Sequence, residues 1–297
     1  MAFNIYYNHI IILIMNKKIV LGLDISTKCI GVSCCYVDDK DNVIPIIVTH
    51  MRPKIPTKIK GIEALFLKCN LFMEAFENML VSNNLYDKET KKTALTNIVI
   101  EEPLLSSNNE YTVGTLLRYN GMVALEVYKL TGIIPEFISS YDARKFGVPS
   151  LMAVRKFKKN GEEYPESKVR KAINDNELVL FGAYPFDCAK KLILWNYISE
   201  LYPNINWVYN AKNELKDENF DASDSLICVM GYVNKCKYGE TEPEVVCVDT
   251  KVDGENITYN YSYRFCDQMF SKSVTIKQAK LLKKEDAKAK ARKLPKK

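Results

Sequence analysis

The sequence predicts an α/β fold: a mixed five-stranded sheet flanked by helices, with a basic insertion and a C-terminal β-hairpin followed by a basic tail. Three observations lead there. The apolar run Lys18–Ser26 (KIVLGLDIS) ends in an acid, the pattern of a strand covered on both faces. Two more strand-like runs follow at short intervals, which implies an antiparallel meander. A long amphipathic segment then leads to another apolar run, Asn97–Ile100 (NIVI), ending in Glu101. A helix between two such strands makes a right-handed crossover and sets the second parallel to the first.

The elements follow in order. Gly31–Val37 is the second strand and Asn42–Met51 the third, with Pro45 pointing to an edge or a bulge. A helix is expected over Lys58–Ser82, with Ile62, Leu65, Phe66, Cys69, Phe72, Met73, Phe76 and Leu80 on one stripe. Pro103 stops the fourth strand. The Ser/Asn-rich stretch after it can cap a helix over Tyr111–Leu130. Gly114, Gly121 and Ala124 give that helix a small-residue face, suited to close packing within the chain or against a second copy. Ile133–Ser139 supplies the fifth strand. From Asp142 to Asp187 the periodicity weakens and lysines gather, so this stretch reads as an insertion with a short helix near Glu166–Asn174. Ala189–Leu201 and Asp221 to about Asn234 are helices, and Trp207–Tyr209 is weakly strand-like. Glu244–Asp249 and Ile257–Phe265 form a hairpin. The expected organisation is an extension over 1–14, a main domain over 15–235 containing the insertion, a hairpin over 236–270 and a tail over 271–297.

Composition narrows the chemistry. The 297 residues carry a formal net charge of +6. From Lys272 onward there are eleven Lys/Arg and two Asp/Glu, about +9, which leaves about −3 on the rest. A near-neutral body with a basic tail suits a polyanionic partner such as nucleic acid. Nine cysteines show no CxxC and no paired spacing, which points to a reducing compartment such as the cytoplasm. With only His9 and His50, histidine triads and Cys/His zinc sites are excluded in practice. The apolar run Ile10–Ile14 is too short to span a membrane, and no small-residue cleavage site follows it. Met15 then opens directly onto the first strand, so residues 1–14 read as a dispensable extension or a misassigned start.

What remains for chemistry is carboxylate. In NFDASDSLICVM, Asp221 and Asp224 lie three residues apart on the first turn of a helix and share a face. One acid there is accounted for by the helix dipole. Two on a face that meets other acids suit a divalent cation. Asp24 and Glu101 would emerge from the C-terminal ends of neighbouring parallel strands, where open α/β sheets place their ligands. Each acid lies beside an apolar run, so burial should raise its pKa unless a cation neutralises the group. Two Mg²⁺ or Mn²⁺ ions about 4 Å apart can activate a water and stabilise a leaving oxygen in phosphodiester hydrolysis.

The order LGLDIST, GVS, IVIEEP, a glycine-containing helix and DASDSLIC resembles the RuvC-type crossover junction endonucleases of the RNase H-like superfamily. The likeness runs from about Lys18 to Asn234. It implies that Asp24, Glu101, Asp221 and Asp224 correspond to the family's metal-binding carboxylates, serving Mg²⁺ or Mn²⁺, and that the chain is a homodimer nicking four-way DNA junctions in pairs. Glu101 rather than Glu102 matches, because it directly follows the apolar strand. Strand alternation also admits only one of the two. The long insertion and the hairpin with its tail depart from the compact bacterial form.

Phosphate contacts would fall to Lys156, Lys158, Lys159, Lys168, Arg170, Lys171, Lys190 and Lys191 and to the tail. Tyr111 is a candidate for stacking on an opened base pair, or a core residue. Rival readings are an RNase H-like nuclease acting on flaps, RNA–DNA hybrids or transposon ends, an actin/hexokinase-like ATPase, and an inactive DNA-binding protein. The ATPase would need a second glycine-rich phosphate loop, and none is evident between Asn97 and Asn234.

Overall fold

A computed structural model describes residues 18–103, 110–154, 178–180, 189–254 and 256–277. The expected N-terminal extension, the helix near Glu166–Asn174 and most of the basic tail lie outside them. The chain divides into two compact units, one formed by the residues up to Val148 with Ala189–Gly239, the other by Pro149–Cys188 with Glu240–Lys297.

The first unit is built on the meander β1 (Lys18–Ile25), β2 (Ile30–Val37) and β3 (Val43–Met51). β3 is an edge strand, and its register slips where Cys34 pairs with Ile47 but Cys35 with Pro45, leaving Ile46 as the extra residue of a bulge. Pro45 therefore sits at an edge and beside a bulge, the two places a strand tolerates it. Helix α1 (Gly61–Ser82) follows, then a two-residue hairpin of β4 (Tyr86–Asp87) and β5 (Lys92–Thr93), then β6 (Asn97–Glu101). Helix α2 (Glu110–Thr131) leads to β7 (Glu136–Ile138). The sheet order is β3-β2-β1-β6-β7, antiparallel through the meander and parallel across β1-β6 and β6-β7. This is the mixed five-stranded sheet that the sequence predicts.

Alternation along β1 decides what each sheet face covers. Ile19, Leu21, Leu23 and Ile25 join a core with Leu65, Cys69, Phe72, Phe76 and Leu80 of α1 and Tyr119, Val123 and Val127 of α2. Phe72 and Phe76 stack there at 5.4 Å. Two members of the expected α1 stripe are not in it: Ile62 and Phe66 are 52% and 55% exposed. Phe66 follows Leu65 by one residue, about 100° round the helix, which carries it off the buried face.

The other face of the sheet carries a second set of helices. Helix α3 (Ser140–Gly147) is capped by the Ser139 hydroxyl, which accepts from the Asp142 amide at 3.0 Å. It occupies the opening of the stretch expected to be an insertion. The remainder of that stretch is described only in a short ³₁₀ turn at Pro149–Leu151, in β8 (Met152–Val154) and in β9 (Leu178–Leu180). Helix α4 (Lys190–Leu201) precedes α5 (Glu218–Tyr238), whose residues from Ala222 to Val233 are all buried. Asn219 holds the loop before α5 in place, its side chain accepting from the Val208 amide and donating to the Val208 carbonyl.

In the second unit β8 and β9 pair antiparallel. Strands β10 (Glu244–Asp253), β11 (Asn256–Phe265) and β12 (Gln268–Lys277) form an antiparallel sheet. The expected hairpin thus gains a third strand, and the tail begins later than Ser271. Cys266 and Asp267, both at positive φ, make the two-residue turn into β12. Tyr261 and Tyr263 stack on each other and donate their hydroxyls to the carbonyls of Met152 and Pro149. Among the described residues no helix is long and apolar enough to cross a membrane.

Candidate active site

Two glycines decide how closely α5 approaches the sheet. A Cβ on Gly22 would lie 2.3 Å from the Ser225 carbonyl oxygen, and one on Gly31 would lie 1.9 Å from that of Asp221. Gly31 pairs with Asp24 across β1 and β2. The backbone of the α5 first turn therefore rests directly beside the strand position of Asp24, which only a residue without a side chain allows. Ser33 and Ser225 hydroxyls, 2.7 Å apart and buried, fasten the same contact. Gly231 does likewise on the far side of α5, where a Cβ would meet the Ala143 carbonyl of α3 at 2.5 Å.

Register brings in the second strand acid. Leu23 of β1 pairs with Ile100 of β6, so Asp24 and Glu101 are the next residues on adjacent parallel strands. Both point to the α5 face, the side opposite Leu23 and Ile100. Glu102 is exposed, as alternation requires. Asp24, Glu101, Asp221 and Asp224 thus come from β1, β6 and α5 to one place.

Their electrostatics show the proximity. Burial raises the Asp24 pKa well above the usual carboxylate range, and the charges of Glu101, Asp224 and Asp221 raise it further. Burial likewise lifts Glu101 to about 7, with Asp224 adding to the rise while Arg144 opposes it. Asp224 is raised by burial too, against the pull of Arg144 and Lys191. Arg144 lies 3.9 Å from Asp224 and Lys191 lies 3.6 Å from Asp221. The buried Cys228 thiol donates to Glu101 Oε2 at 3.8 Å. Burial, then the neighbouring carboxylates, push that thiol's pKa up, so it stays a neutral donor.

Among the described residues, no three His, Cys, Asp or Glu side chains are drawn together as one ion's ligand shell. The donor set nevertheless fits a hard divalent cation in kind: carboxylate oxygens, no histidine, and mutual repulsion that a cation would relieve. Relief is at present supplied in part by Arg144 and Lys191.

The other expected site residues fall as follows. Lys190 and Lys191 open α4 and are exposed, with Lys191 on Asp221. Lys156, Lys158, Lys159, Lys168, Arg170 and Lys171 lie outside the described residues. Tyr111 is 73% exposed, so it is not a core residue. Gly114 and Gly121 meet nothing within 4 Å, so no close helix contact uses them among the described residues. Arg144 and Cys228 escaped the sequence reading, because each reaches the acids only through tertiary packing.

No protein-family model matches the sequence, and no curated protein sequence matches it. Among solved structures the chain is similar to Thermus thermophilus RuvC in complex with a Holliday junction substrate, at 7% identity and a TM-score of 0.40. That match covers 75% of this chain and 98% of the other. It is also similar to the yeast mitochondrial Holliday junction resolvase, at 14% identity and a TM-score of 0.36 over 72% and 77% of the two chains. The Aquifex aeolicus PPX-GPPA enzyme matches at 11% identity and a TM-score of 0.29, over 76% and 94%.

Proposed function

We propose that the chain is a divalent-metal-dependent endonuclease that hydrolyses phosphodiester bonds in DNA, and that its substrate is the four-way junction, resolved by paired nicks. The observation that carries this reading is the meeting of Asp24, Glu101 and Asp224, acids distant in sequence: beside burial, the charges of Glu101 and Asp224 raise the pKa of Asp24, and that of Asp224 raises Glu101. A fold does not keep such mutually repelling groups for stability. Together with Asp221 they would hold Mg²⁺ or Mn²⁺, which when bound supplies an activated water and charge stabilisation for the leaving oxygen.

The chain's own residues prepare that site. β1 and β6 fix the backbone of Asp24 and Glu101 through sheet pairing, and α5 brings Asp221 and Asp224 in at the glycine contacts. The Cys228 thiol orients Glu101, and Arg144 steadies Asp224. A homodimer accords with the family resemblance and with the outer stripe of α2, where Leu117, Leu125 and Tyr128 are exposed beside Gly121.

The test is purified protein with Mg²⁺ on labelled four-way junction, flap, RNA–DNA hybrid and linear duplex, with light scattering for the dimer. Symmetric nicking of the junction alone is the expected result. Cutting confined to flaps or hybrids would move the assignment to another RNase H-like nuclease, and ATP hydrolysis without cleavage would overturn it. Asp24→Asn and Glu101→Gln should each abolish cleavage and leave DNA affinity intact or improved, since negative charge beside phosphate is removed.

A further inference from the structure

The four carboxylates are accompanied by sulfur. Cys228 follows Asp221 and Asp224 on the same face of α5 and is fully buried. Its Sγ lies 3.8 Å from Glu101 Oε2, and the charges of Asp24 and Asp224 also reach it. We propose that the acid cluster also takes a thiophilic divalent cation of the zinc class, held through Cys228, Glu101 and Asp24, and that this ion inhibits the chemistry assigned to a hard one. The inhibition rests on the nuclease reading above; the binding rests on the donors alone.

Hard and soft ions would use these donors differently. Mg²⁺ takes oxygen ligands and leaves a thiol alone, so beside it Cys228 stays a hydrogen-bond donor to Glu101. Zinc and its heavier relative cadmium favour sulfur. On a tetrahedral zinc, with Zn–S about 2.3 Å and Zn–O about 2.0–2.2 Å, a sulfur and an oxygen ligand stand roughly 3.5–3.7 Å apart. The Cys228–Glu101 separation of 3.8 Å nearly matches that spacing. Coordination replaces the shared proton: the S–H bond breaks, a sulfur–metal bond forms and the proton passes to solvent.

Asp24 is the third ligand. Strand register sets it beside Glu101, and what acts on its carboxyl is burial and neighbouring charge, with no hydrogen bond to hold either oxygen. Among the described residues the three donors are not yet gathered into one shell, so the ion gathers them by side-chain rotation. Water takes the fourth position. Asp221 borders an open hollow of about 880 Å³, which connects the acids to solvent. An ion drawn to the buried sulfur claims Glu101 and Asp24, the oxygens a hard ion needs, and so excludes it. Cys29 is the rival sulfur. It lines the same hollow, and after burial the charge and hydrogen bond of Asp221 raise its pKa.

The experiment titrates Cd²⁺ into reduced, metal-free protein and reads the sulfur-to-cadmium charge-transfer absorption, with thermal melts to confirm folding. Wild type, Cys29→Ser and Cys236→Ser, the last at an exposed position, should share one saturable band. Cys228→Ser should lose that band and bind Cd²⁺ ten-fold or more weakly. Glu101→Gln keeps every thiol and should raise the midpoint by a similar factor, which keeps the test decisive should Cys228→Ser not fold. In Mg²⁺-supported junction cleavage, Cys228→Ser, compared with its own zinc-free rate, should need at least ten-fold more Zn²⁺ for inhibition than wild type. A band that survives in Cys228→Ser, or vanishes in Cys29→Ser or Cys236→Ser instead, overturns the site. A wild type that cuts junctions and is inhibited by zinc equally with and without Cys228 sinks this proposal alone. A wild type that cuts nothing while the band depends on Cys228 and Glu101 sinks the nuclease reading alone.

Discussion

At the scale of single residues, the acids proposed to serve a cation work against the fold when none is bound. Glu101 is lifted from an ordinary 4.5 to about 7, and Asp24 and Asp224 are raised with it. A carboxyl whose folded pKa is raised binds its proton more tightly in the folded state than in the unfolded one. Its contribution is complete below about pH 4.5 and disappears as pH climbs through about 7. Protein stripped of divalent ions should therefore melt at a lower temperature at pH 8 than at pH 5, by a few degrees on the order set by one to two kcal/mol. Mg²⁺ at pH 8 should restore the loss, because a ligand bound only by the folded state stabilises it. Glu101→Gln, neutral at every pH, should flatten the melting profile and blunt the Mg²⁺ response. Scanning calorimetry across pH with and without Mg²⁺ reads all three, and a wild-type melting temperature that rises from pH 5 to 8 without metal would contradict the account. Because metal must displace protons from these groups, Mn²⁺ affinity should also increase with pH across the same window.

At the scale of elements, α5 is where the chain's local and distant information meet. Its acids were legible in the sequence, since Asp221 and Asp224 share a helix face and apolar residues follow at once. The strand acids were legible for a related reason: an apolar run that stops at a carboxylate announces a buried strand with a charged end. What brings the two sets together was not legible. Gly22 and Gly31 carry no side chain whose pattern could be read, and their meaning appears only where the Ser225 and Asp221 carbonyls press on them. Arg144 and Cys228 were hidden for the same reason. β12 was missed because SKSVTIK is rich in Lys and Ser and its turn, Cys266–Asp267, has no glycine. The apolar alternation of Val274 and Ile276 was the available signal. The glycine argument has a direct test. Gly31→Ala inserts a methyl 1.9 Å from the Asp221 carbonyl, so α5 must shift outward. Overpacking of this kind costs about 1–3 kcal/mol and should lower the melting temperature by several degrees while reducing cleavage more than stability alone explains. Gly121→Ala on α2 meets nothing within 4 Å and should instead stabilise by roughly 0.5–1 kcal/mol. A neutral Gly31→Ala, judged by melting and cleavage together, would show that the close contact does not set the site.

At the scale of the whole chain, charge is divided in a way that no single element reveals. Residues before Lys272 sum to about −3, yet the C-terminal end is strongly basic. A body of slight negative charge has no long-range attraction for a polyanion, so capture and placement should fall to different parts of the molecule. Capture should then fall to the tail, whose attraction acts over about a Debye length and fades with salt. Placement should then fall to the site itself, where Arg144 and Lys191 stand beside the acids. Removing residues 278–297, nine Lys/Arg and two Asp/Glu, takes away about +7. At about 50 mM salt the truncated chain should bind junction DNA ten-fold or more weakly, chiefly through a slower association rate. At about 200 mM salt the difference should shrink, since the tail's contribution is screened first. The single-turnover cleavage rate with saturating enzyme should not change, because the acids and α5 are intact. Stopped-flow association and single-turnover cleavage, measured on the same preparation, separate the two roles: a truncated chain that associates normally but cuts slowly would put the tail at the site of chemistry instead.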